Sequence, residues 1–490
     1  MDSQTSSDEE VCGTLVTKPP NVSECAHNNV VGFDGPNDPA NPISWKVPRK
    51  ITISVALAFS TFTVGLNSSL FSSATTAIMQ EYQVSHDLAT LSVSLYVLGF
   101  ATGPIFWAPF SELNGRRMPL LLGTFGFAVF SLGVASATNV QTVMLCRFWA
   151  GIFAASPMTV AAAVFSDLFD GLARGPATSI FCINVLMGPM LAPSIGGFIC
   201  ASSLGWRWTA WLGSLMGFTA FVLDVLFLEE TYAPVLLTKK ARSLRHKTGD
   251  WSLHSKHEEI EVNGKELVVT YLARPLRLLF TEPLVCLISI YLAFIYGLMY
   301  LFLTAYPLVF QGVHGFSPGV AGLAYMGIVV GIIAGGIYVI STQPSYHRKL
   351  KANNGVIVPE WRLPPAMAGS ITFAAGVFWF GWSGYQPSTH WIVPILSGIP
   401  TGFGLFCTFQ QLLNYLIDIY LPYAASVNAG SSLLRSLCGF GFPLFAQSLF
   451  DSLGINWAST LLGGIAVLCI PLPWTFYRWG PRLRERSKYT

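Results

Sequence analysis

A stretch of small and apolar residues begins at Gly103 and ends in a segment that contains Glu112, Gly115, Arg116 and Arg117. Hydrocarbon excludes charge, so an apolar helix that reaches these residues has arrived at the membrane surface. The spacing of Gly and Pro in the stretch favours a helix that packs closely against a neighbour or bends beside it. The pattern therefore predicts a membrane helix whose charged end meets the cytosol.

Two further charges interrupt apolar runs, Arg147 and Asp224. A charge at the bilayer centre costs at least about 2.5 kcal/mol unless it reaches water or faces a cavity. Arg147 lies a few residues inside the outer boundary of its run, so one interpretation is a structural arginine that snorkels to the outer water. Asp224 is the nearest intramembrane carboxylate, and it is either a proton-binding group or a residue that marks the cytosolic boundary.

The composition indicates which elements position these charges. Of the 490 residues, 52% are hydrophobic and only 11% are charged, whereas soluble chains carry about 25% charged residues. The mean hydropathy is +0.52, and the apolar runs approach the roughly 20 residues that cross a ~30 Å hydrocarbon core. The chain is predicted to be a polytopic membrane protein, and its net charge of +3 is too small to indicate a nucleic-acid partner.

Twelve apolar runs form two groups of six on either side of a long polar stretch. The first six cover residues 51–75, 88–110, 119–137, 141–165, 176–200 and 207–228, and the second six cover 283–309, 319–341, 366–383, 391–416, 424–449 and 457–477. The predicted fold is an all-α membrane protein with twelve transmembrane helices in two pseudo-symmetric six-helix bundles. The predicted segments are a disordered cytosolic tail (1–48), the first bundle (49–228), a cytosolic central loop (229–280), the second bundle (281–478) and a cytosolic C-terminal tail (479–490).

The basic residues orient these segments. With the N-terminus inside, the cytosolic segments hold 25 of the 28 Lys and Arg, Arg207 lies on the opposite side, and Arg147 and Arg435 lie within helices. This bias follows the positive-inside rule, so both termini are predicted to be cytosolic. The polar N-terminal segment predicts no cleavable signal peptide. The nine Cys are scattered without paired spacing, which favours packing over a disulfide framework or metal site.

The segment that ends in Arg116 and Arg117 resembles the loop signature of the major facilitator superfamily, in the Pro-x-Ser-Glu-x-x-Gly-Arg-Arg form of fungal drug:proton antiporters with twelve helices. In that family, acidic and basic residues of this loop help to hold the inner gate closed and to switch it. The resemblance implies this role for Glu112, Gly115, Arg116 and Arg117, and the major facilitator fold for the chain. A plain topogenic turn is the alternative, but it would need only the arginines. The Glu-Glu-Thr-Tyr stretch from Glu229 also resembles the fungal subgroup.

Two other segments carry the same resemblance. Arg147 and Gly151 match an Arg-x-x-x-Gly signature on the fourth helix, which implies a part in proton coupling or substrate binding for the arginine. The fifth run resembles a Gly-Pro signature that marks antiporters, with Ala192 in place of the middle Gly. Its matching residues are Gly188, Pro189, Pro193, Gly196 and Gly197. Close helix packing through small residues is the alternative explanation of that run.

In this fold the substrate site lies near the bilayer midplane between the two halves. Polar and aromatic side chains in the middle of the runs are therefore candidates to line it: Asn67, Tyr96, Asn184, Tyr296, Tyr300, Phe406, Gln410, Asn414, Asn428 and Arg435. Each is equally well explained by a hydrogen bond between helices. Carboxylates are scarce in the predicted cavity, although a buried ammonium group would need one. The lining favours a neutral or anionic, partly aromatic substrate over a polycation.

The resemblance implies a secondary transporter that exports a small amphipathic organic compound, such as a toxin, drug or secondary metabolite, from a fungal cell against inward proton flow. The alternative is a transporter of the same fold for a nutrient, an organic acid or a polyamine. The sequence contains no Walker pattern, nucleophile elbow or metal-ligand cluster, so no enzyme activity, cofactor or metal is expected. The expected partners are the lipid bilayer, the substrate and the proton, and the expected state is a monomer in the plasma membrane.

Overall fold

The structure is a computed structural model that describes residues 29–35, 38–259, 273–485 and 487. The described residues are mostly helical, as the sequence predicts. The chain divides into two compact units. The larger unit comprises Lys46–Tyr232 and Val262–Thr490, and the smaller comprises Met1–Trp45 and Ala233–Glu261.

Six helices make up the N-terminal half of the larger unit. They are α1 (Val47–Tyr82, with a 3₁₀ turn at Phe71–Ala74), α2 (His86–Asn114), α3 (Arg117–Ala135), α4 (Val140–Leu168), α5 (Gly171–Ala201) and α6 (Arg207–Phe227). A helix satisfies its backbone polar groups internally, which is why apolar runs of this length become helices in hydrocarbon. Polar side chains cap the N-termini of two of these helices. The Ser85 hydroxyl accepts a hydrogen bond from a backbone N–H group of α2, and the Asn139 side chain accepts one from α4.

The C-terminal half repeats this organisation. Its helices are α7 (Pro283–Pro307), α8 (Pro318–Ala352), α9 (Pro364–Gly384), α10 (Ile392–Ile419) and the long segment Ala424–Arg484. Gly454, with φ 77° and ψ 163°, breaks that segment into α11 (424–453) and α12 (455–484). Ten helices in the described part are long and apolar enough to cross a membrane. The break at Gly454 adds one span and the 21-residue α9 adds another, so the predicted twelve-helix fold is confirmed.

Close glycine contacts draw α2 against α4 and α8 against α10. A Cβ atom added at Gly99 would lie 2.5 Å from the backbone of Gly151, and one added at Gly331 would lie 2.2 Å from the carbonyl oxygen of Ile399. A larger side chain would push these backbones apart, so the glycines set the distance between the helices. Close packing through glycine therefore occurs between corresponding helices of the two halves.

The two halves meet along α5 and α8 and along α2 and α11. In the first contact, the Ser194 hydroxyl donates to the carbonyl oxygen of Gly322 at 2.8 Å. In the second, a Cβ atom added at Gly439 would lie 3.1 Å from Cγ1 of Val97. The interior between the halves is therefore bordered by helices from both.

The smaller unit is held by charged groups around the helix Ala233–Thr248. Lys240 Nζ lies 2.8 Å from Asp34 Oδ2 and 2.9 Å from Asp38 Oδ2. Asp38 also accepts the backbone N–H groups of Asp34 and Ala40 at 2.9 and 2.8 Å. These backbone bonds and the nearby Lys240 lower the pKa of Asp38 to about 2. The Asp38 carboxylate thus links the N-terminal segment to the central loop.

Part of the predicted tail therefore has defined structure. Val30 forms an isolated parallel bridge with His254, and the Trp45 indole donates to the carbonyl oxygen of Pro39 at 3.0 Å. The tail was predicted to be disordered as far as residue 48, and residues 29–35 and 38–45 differ because their polar groups find partners. The predicted disorder of residues 1–28 lies outside the described residues, as do 260–272 of the predicted central loop.

We expect Asp38→Asn to loosen the smaller unit at neutral pH, because the amide loses the charge that pairs with Lys240. Asp34→Asn is the control, since the Asp34 side chain is 83% exposed. Faster hydrogen exchange in residues 29–45 and 233–259 of the Asp38 variant would show the effect. Because the pKa of Asp38 is lowered from 3.8, its contribution is present above about pH 4 and is lost as the pH falls toward 2. Equal exchange in both variants would contradict this prediction.

Candidate functional site

Glu230 joins the loop before α3 to the segment that follows α6. Its carboxylate accepts the backbone N–H groups of Arg116 and Arg117 at 2.9 and 3.1 Å, and those of Thr231 and Tyr232 at 3.0 and 2.8 Å. Arg116 and Arg117 are the N-cap and the first residue of α3, and the N-cap side chain itself forms no capping bond. The Glu230 carboxylate therefore satisfies two N–H groups at the positive end of the helix dipole.

The Arg116 side chain connects α2, α4 and the segment after α6. Its Nε lies 3.2 Å from Asp167 Oδ2 at the end of α4, and its Nη1 donates to the Ser111 hydroxyl of α2 at 2.6 Å. The guanidinium carbon lies 4.3 Å from the centroid of the Tyr232 ring. Arg117 donates instead to a carbonyl oxygen of α6 at 3.2 Å. The two arginines of the predicted gate thus bind different partners in the same half.

A matching ion pair lies in the C-terminal half. Arg362, just before α9, pairs through its Nε with Asp418 near the end of α10. The Arg362 guanidinium carbon also lies 4.6 Å from the centroid of the Tyr346 ring. Each half therefore has a basic residue before its third helix, an acidic residue near the end of its fourth helix, and a tyrosine ring against the guanidinium.

Gly115 has a backbone conformation that only glycine adopts readily. Its φ of 89° and ψ of 178° fall in a region that is closed to residues with a Cβ atom. A Cβ atom at this position would also lie 2.3 Å from Glu230 Oε2. Glycine here both turns the chain between α2 and α3 and leaves room for the carboxylate.

Glu112, the remaining residue of the predicted gate, borders a cavity between α2 and α11. The cavity has a volume of about 220 Å³, and its walls include Pro104 and Ala108 of α2, with Arg274 and Tyr423 from the C-terminal half. Glu112 is thus the residue of the signature that lies where the two halves meet.

Arg147 is buried, so it does not snorkel to the outer water. Its side chain is 2% exposed, and its guanidinium donates to the carbonyl oxygens of Ser92, Asn67 and Ser68 at 3.1, 3.1 and 3.4 Å. Its guanidinium carbon lies 4.5 Å from the centroid of the Tyr96 ring. These neutral partners tie α4 to α1 and α2, which is a structural arrangement inside the N-terminal half.

Asp224 is fully buried near the end of α6. The Ser60 hydroxyl of α1 lies 3.0 and 2.9 Å from its two carboxylate oxygens. The described residues place no basic side chain within ion-pair distance of it. Asp224 is thus a carboxylate inside the N-terminal half, held by a neutral donor.

The Gly-Pro run of α5 lies between α1 and α8. A Cβ atom added at Gly196 would lie 2.7 Å from the Leu70 carbonyl oxygen of α1, and one at Gly197 would lie 2.5 Å from the Pro318 carbonyl oxygen of α8. The other residues of the run behave alike: Gly188 and Pro189 approach α1, and Pro193 approaches both helices. The run therefore allows close packing within one half and also between the halves.

Four of the predicted cavity residues pack helices of one half together. Asn67 bonds to a hydroxyl of α3 at 3.4 Å, Tyr96 to a carbonyl of α1 at 3.0 Å, and Asn184 to another carbonyl of α1 at 2.6 Å. Phe406 is buried against Gly335 in the C-terminal half. For these residues, a hydrogen bond or packing contact between helices explains why the side chain lies in the middle of a membrane helix.

Two of the remaining candidates bond from one half to the other. The Tyr300 hydroxyl of α7 donates to Ser68 Oγ of α1 at 2.9 Å, and Gln410 Nε2 of α10 donates to Ser179 Oγ of α5 at 2.7 Å. Two others are half-buried and form no side-chain hydrogen bond with the described residues: Asn414 and Asn428. Tyr300 and Gln410 therefore bond across the two halves, and a role in substrate binding stays a prediction for all four residues.

Arg435 of α11 lies in an aromatic cluster with Tyr296. Its guanidinium carbon is 5.1 Å from the ring centroids of both Tyr296 and Phe409, and its Nη2 donates to Ser432 Oγ at 3.1 Å. The hydroxyl oxygens of Tyr296 and Tyr300 are 3.5 Å apart. The structure thus brings together Tyr296, Tyr300 and Arg435, and it adds Phe409, which the sequence did not indicate.

Residues 57–443 match the family model described as the Major Facilitator Superfamily. The chain belongs to the major facilitator superfamily. Its relatives include the Candida albicans "Major facilitator superfamily multidrug transporter FLU1", 44% identical over 462 residues that cover 94% of this chain and 76% of that protein. The Aspergillus candidus "MFS-type transporter acdC" is 44% identical over 465 residues, or 94% and 91% of the two chains. The Candida glabrata "Multidrug transporter TPO1_2" is 41% identical over 472 residues, or 96% and 81%.

Solved structures of the superfamily have the same fold. The proton:xylose symporter XylE superposes with a TM-score of 0.64 over 88% of this chain and 97% of that one, at 16% identity. The human organic anion transporter MFSD10 gives a TM-score of 0.61 over 86% and 99%, also at 16% identity. At this identity the likeness concerns the fold alone.

Four residues of the two charged networks in this major facilitator chain were not predicted to belong to the site. They are Glu230, Asp167, Arg362 and Asp418. The Glu229 segment had been linked to the fungal subgroup, but nothing in its order of residues distinguishes a capping carboxylate from an exposed one. A usable signal was a pattern that occurs once in each half. An acidic residue follows the fourth and the tenth apolar runs, and a basic residue precedes the third and the ninth.

Replacing Glu230 should destabilise the protein more than replacing its neighbour Glu229. We expect Glu230→Ala to destabilise the transporter by about 1–3 kcal/mol, because N–H groups at the start of α3 lose their acceptor. Glu229 forms an ion pair with Arg49 in which the two side chains are 49% and 42% exposed, so Glu229→Ala should cost about 0–1 kcal/mol. Thermal melting of both purified variants in detergent measures the difference. Equal melting temperatures would contradict the capping role.

Gly115→Ala should also be destabilising, by about 1–3 kcal/mol for the backbone conformation alone. The matched control is Gly441→Ala in α11, because a Cβ atom at Gly441 meets nothing within 4 Å. We expect the control to melt at or above the temperature of the unmodified protein, since alanine favours a helix. A Gly115 variant that is as stable and as abundant at the membrane as the control would refute the steric explanation.

Proposed function

We propose that this chain is a proton-coupled antiporter that exports small amphipathic organic compounds, such as drugs, toxins or secondary metabolites, from a fungal cell. Two relatives that match 94% and 96% of the chain are named multidrug transporters. The loop before α3 and the Gly-Pro run of α5 resemble the antiporter signatures of the superfamily. Resemblance in both sequence and signature supports export over other transport modes.

The bonds within the halves differ from the bonds between them, which supports alternating access, a mechanism in which the two halves move to expose the site to one side of the membrane at a time. The ion pairs described in the larger unit each lie within one half: Arg49 with Glu229, Arg116 with Asp167, Arg207 with Glu81, Arg362 with Asp418 and Arg484 with Glu360. The hydrogen bonds described between the halves involve hydroxyl, amide and carbonyl groups instead. A neutral bond contributes about 0.5–1.5 kcal/mol. Each half can therefore move as a rigid body while bonds of modest strength break between them.

The proposal also covers the location, orientation, oligomeric state and cofactor need of the transporter. The transporter resides in the plasma membrane with both termini in the cytosol, works as a monomer and needs no cofactor besides the proton gradient. The positive-inside bias of its loops supports the orientation. It performs no enzymatic reaction, and its gate consists of Glu112, Gly115, Arg116 and Arg117 with Glu230.

Export can be tested in yeast cells that lack their own multidrug exporters. We expect cells that express this chain to lose preloaded Nile Red faster than empty-vector cells after glucose is added, and a protonophore should abolish the difference. The neutral dye is used because it enters cells without a carrier. Equal loss in both strains would count against export, and faster uptake by the expressing cells would favour the alternative, an importer of a nutrient, organic acid or polyamine.

Asp224 is our proposed proton-binding group. It is the buried carboxylate in the described membrane helices that lacks a basic partner, and Ser60 can donate to its ionised form. We expect Asp224→Asn to abolish proton release driven by substrate in proteoliposomes while substrate still binds. Asp451→Asn is the control, because Asp451 is exposed and bonds to Gln447. Proton release that persists in the Asp224 variant would assign coupling to another residue.

A further inference from the structure

Arg435 and Arg147 are both arginines in membrane helices, yet their bonding differs. Arg147 donates to three carbonyl oxygens. Arg435 donates to the Ser432 hydroxyl of its own helix, and its Nε is buried without a hydrogen-bond partner in the described residues. An unpaired charged donor in hydrocarbon is costly unless a ligand uses it. The difference indicates that Arg147 serves structure and that Arg435 retains binding capacity.

The Nε–H donor of Arg435 has no acceptor among the described residues. Tyr296 and Phe409 contribute ring contacts to the guanidinium, with both ring centroids 5.1 Å from its central carbon. These cation–π contacts offset part of the desolvation cost, but they provide no hydrogen-bond acceptor. A guanidinium carries five N–H groups in one plane, and a carboxylate can accept two of them side by side. Arg435 therefore lacks an acceptor of that shape.

The position of Arg435 along its helix also fits a substrate site. With a rise of 1.5 Å per residue, it lies about 16 Å along α11 from Ala424, or about three helical turns from the first residue of the helix. Tyr296, beside it, lies 3.5 Å from the Tyr300 hydroxyl, which bonds across the halves to Ser68. The guanidinium is thus held where helices of both halves meet.

A second unpaired group lies on the neighbouring helix. Gln410 Nε2 donates to Ser179 of α5, but Gln410 Oε1 is buried and accepts no hydrogen bond from the described residues. Gln410 directly follows Phe409 in α10, and the Phe409 ring contacts Arg435. An unpaired donor and an unpaired acceptor on adjacent helices are complementary to a ligand that carries an acid and a hydroxyl or N–H group.

We propose that Arg435 binds the carboxylate of an organic anion between the two halves, and that Gln410 accepts a hydrogen bond from a hydroxyl or N–H group of the same compound. This inference rests on the proposed transport function and narrows its substrate class to aromatic or aliphatic organic acids in their ionised form. The rings of Tyr296 and Phe409 keep the guanidinium oriented and offer an apolar surface to the body of the ligand.

The test compares two probes of the same shape. Full-length protein in lipid nanodiscs is titrated at pH 7 with 2-naphthoate and with the neutral 2-naphthamide, and binding is followed by isothermal titration calorimetry. We expect the unmodified protein to bind naphthoate about ten-fold or more tightly than naphthamide, because a charge-assisted pair replaces an unpaired donor. Arg435→Gln should remove this preference, and Arg435→Lys should retain only part of it, since an ammonium cannot form the paired bonds. Arg207→Gln, which removes a charge paired with Glu81, should leave the preference unchanged.

A melting measurement keeps the test valid if the variant folds poorly. Removing an unpaired buried charge should leave the melting temperature of Arg435→Gln at or above that of the unmodified protein. Naphthoate should raise the melting temperature of the unmodified protein but not that of the variant. A variant that melts much lower would assign Arg435 to structure and overturn the proposal.

The remaining outcomes are equally decisive. Equal affinity of the unmodified protein for the two probes, or an undiminished naphthoate preference in Arg435→Gln, would overturn the anion site. Nile Red export by the same protein is measured in parallel. Nile Red export with no naphthoate preference would overturn the anion site and leave the transporter proposal standing, whereas a naphthoate preference without Nile Red export would support the anion site and count against export of neutral compounds.

Discussion

A charge placed inside hydrocarbon needs partners that replace water, and this requirement determines what each buried charge in this chain does. Arg147 meets it with three carbonyl oxygens and two aromatic rings. Asp224 meets it with the Ser60 hydroxyl. Arg435 meets it in part, with one hydroxyl and two rings. The fully satisfied group binds helices together, and the groups with weaker or missing partners are the ones that we propose to exchange a proton or bind a ligand.

The same electrostatics distinguish the contacts within each half from the contacts between the halves. Arg116 with Asp167 and Arg362 with Asp418 fix corresponding loops to their own halves. The contacts between the halves are close backbone approaches at glycine and hydrogen bonds without ion pairs among those described. Charged bonds inside each half and neutral bonds between the halves fit the rocking motion that we propose for transport.

The loop before α3, which we propose as part of the gate, depends on backbone groups as much as on side-chain charge. Glu230 holds the start of α3 through the N–H groups of the two arginines, and the conformation of Gly115 makes room for its carboxylate. The two arginines of the loop signature therefore contribute backbone N–H groups to a helix cap as well as side-chain charges. The acidic partner comes from more than a hundred residues later in the chain, so the loop and the segment after α6 act as one element.

The sequence by itself determined the membrane class, the twelve helices and the two halves, because apolar length and the glycine spacing of each helix are local properties. The loop motif likewise identified the family and located Gly115, Arg116 and Arg117 at one end of a helix. Tertiary structure decided which polar residues face the interior, because Asn67, Tyr96 and Asn184 find partners inside their own half while Gln410 and Tyr300 reach across. It also decided that Arg147 and Arg435 differ and that Glu230 caps α3. The physical reason is that hydrogen-bond satisfaction depends on groups brought together from distant parts of the chain, and no local spacing records which of them will meet.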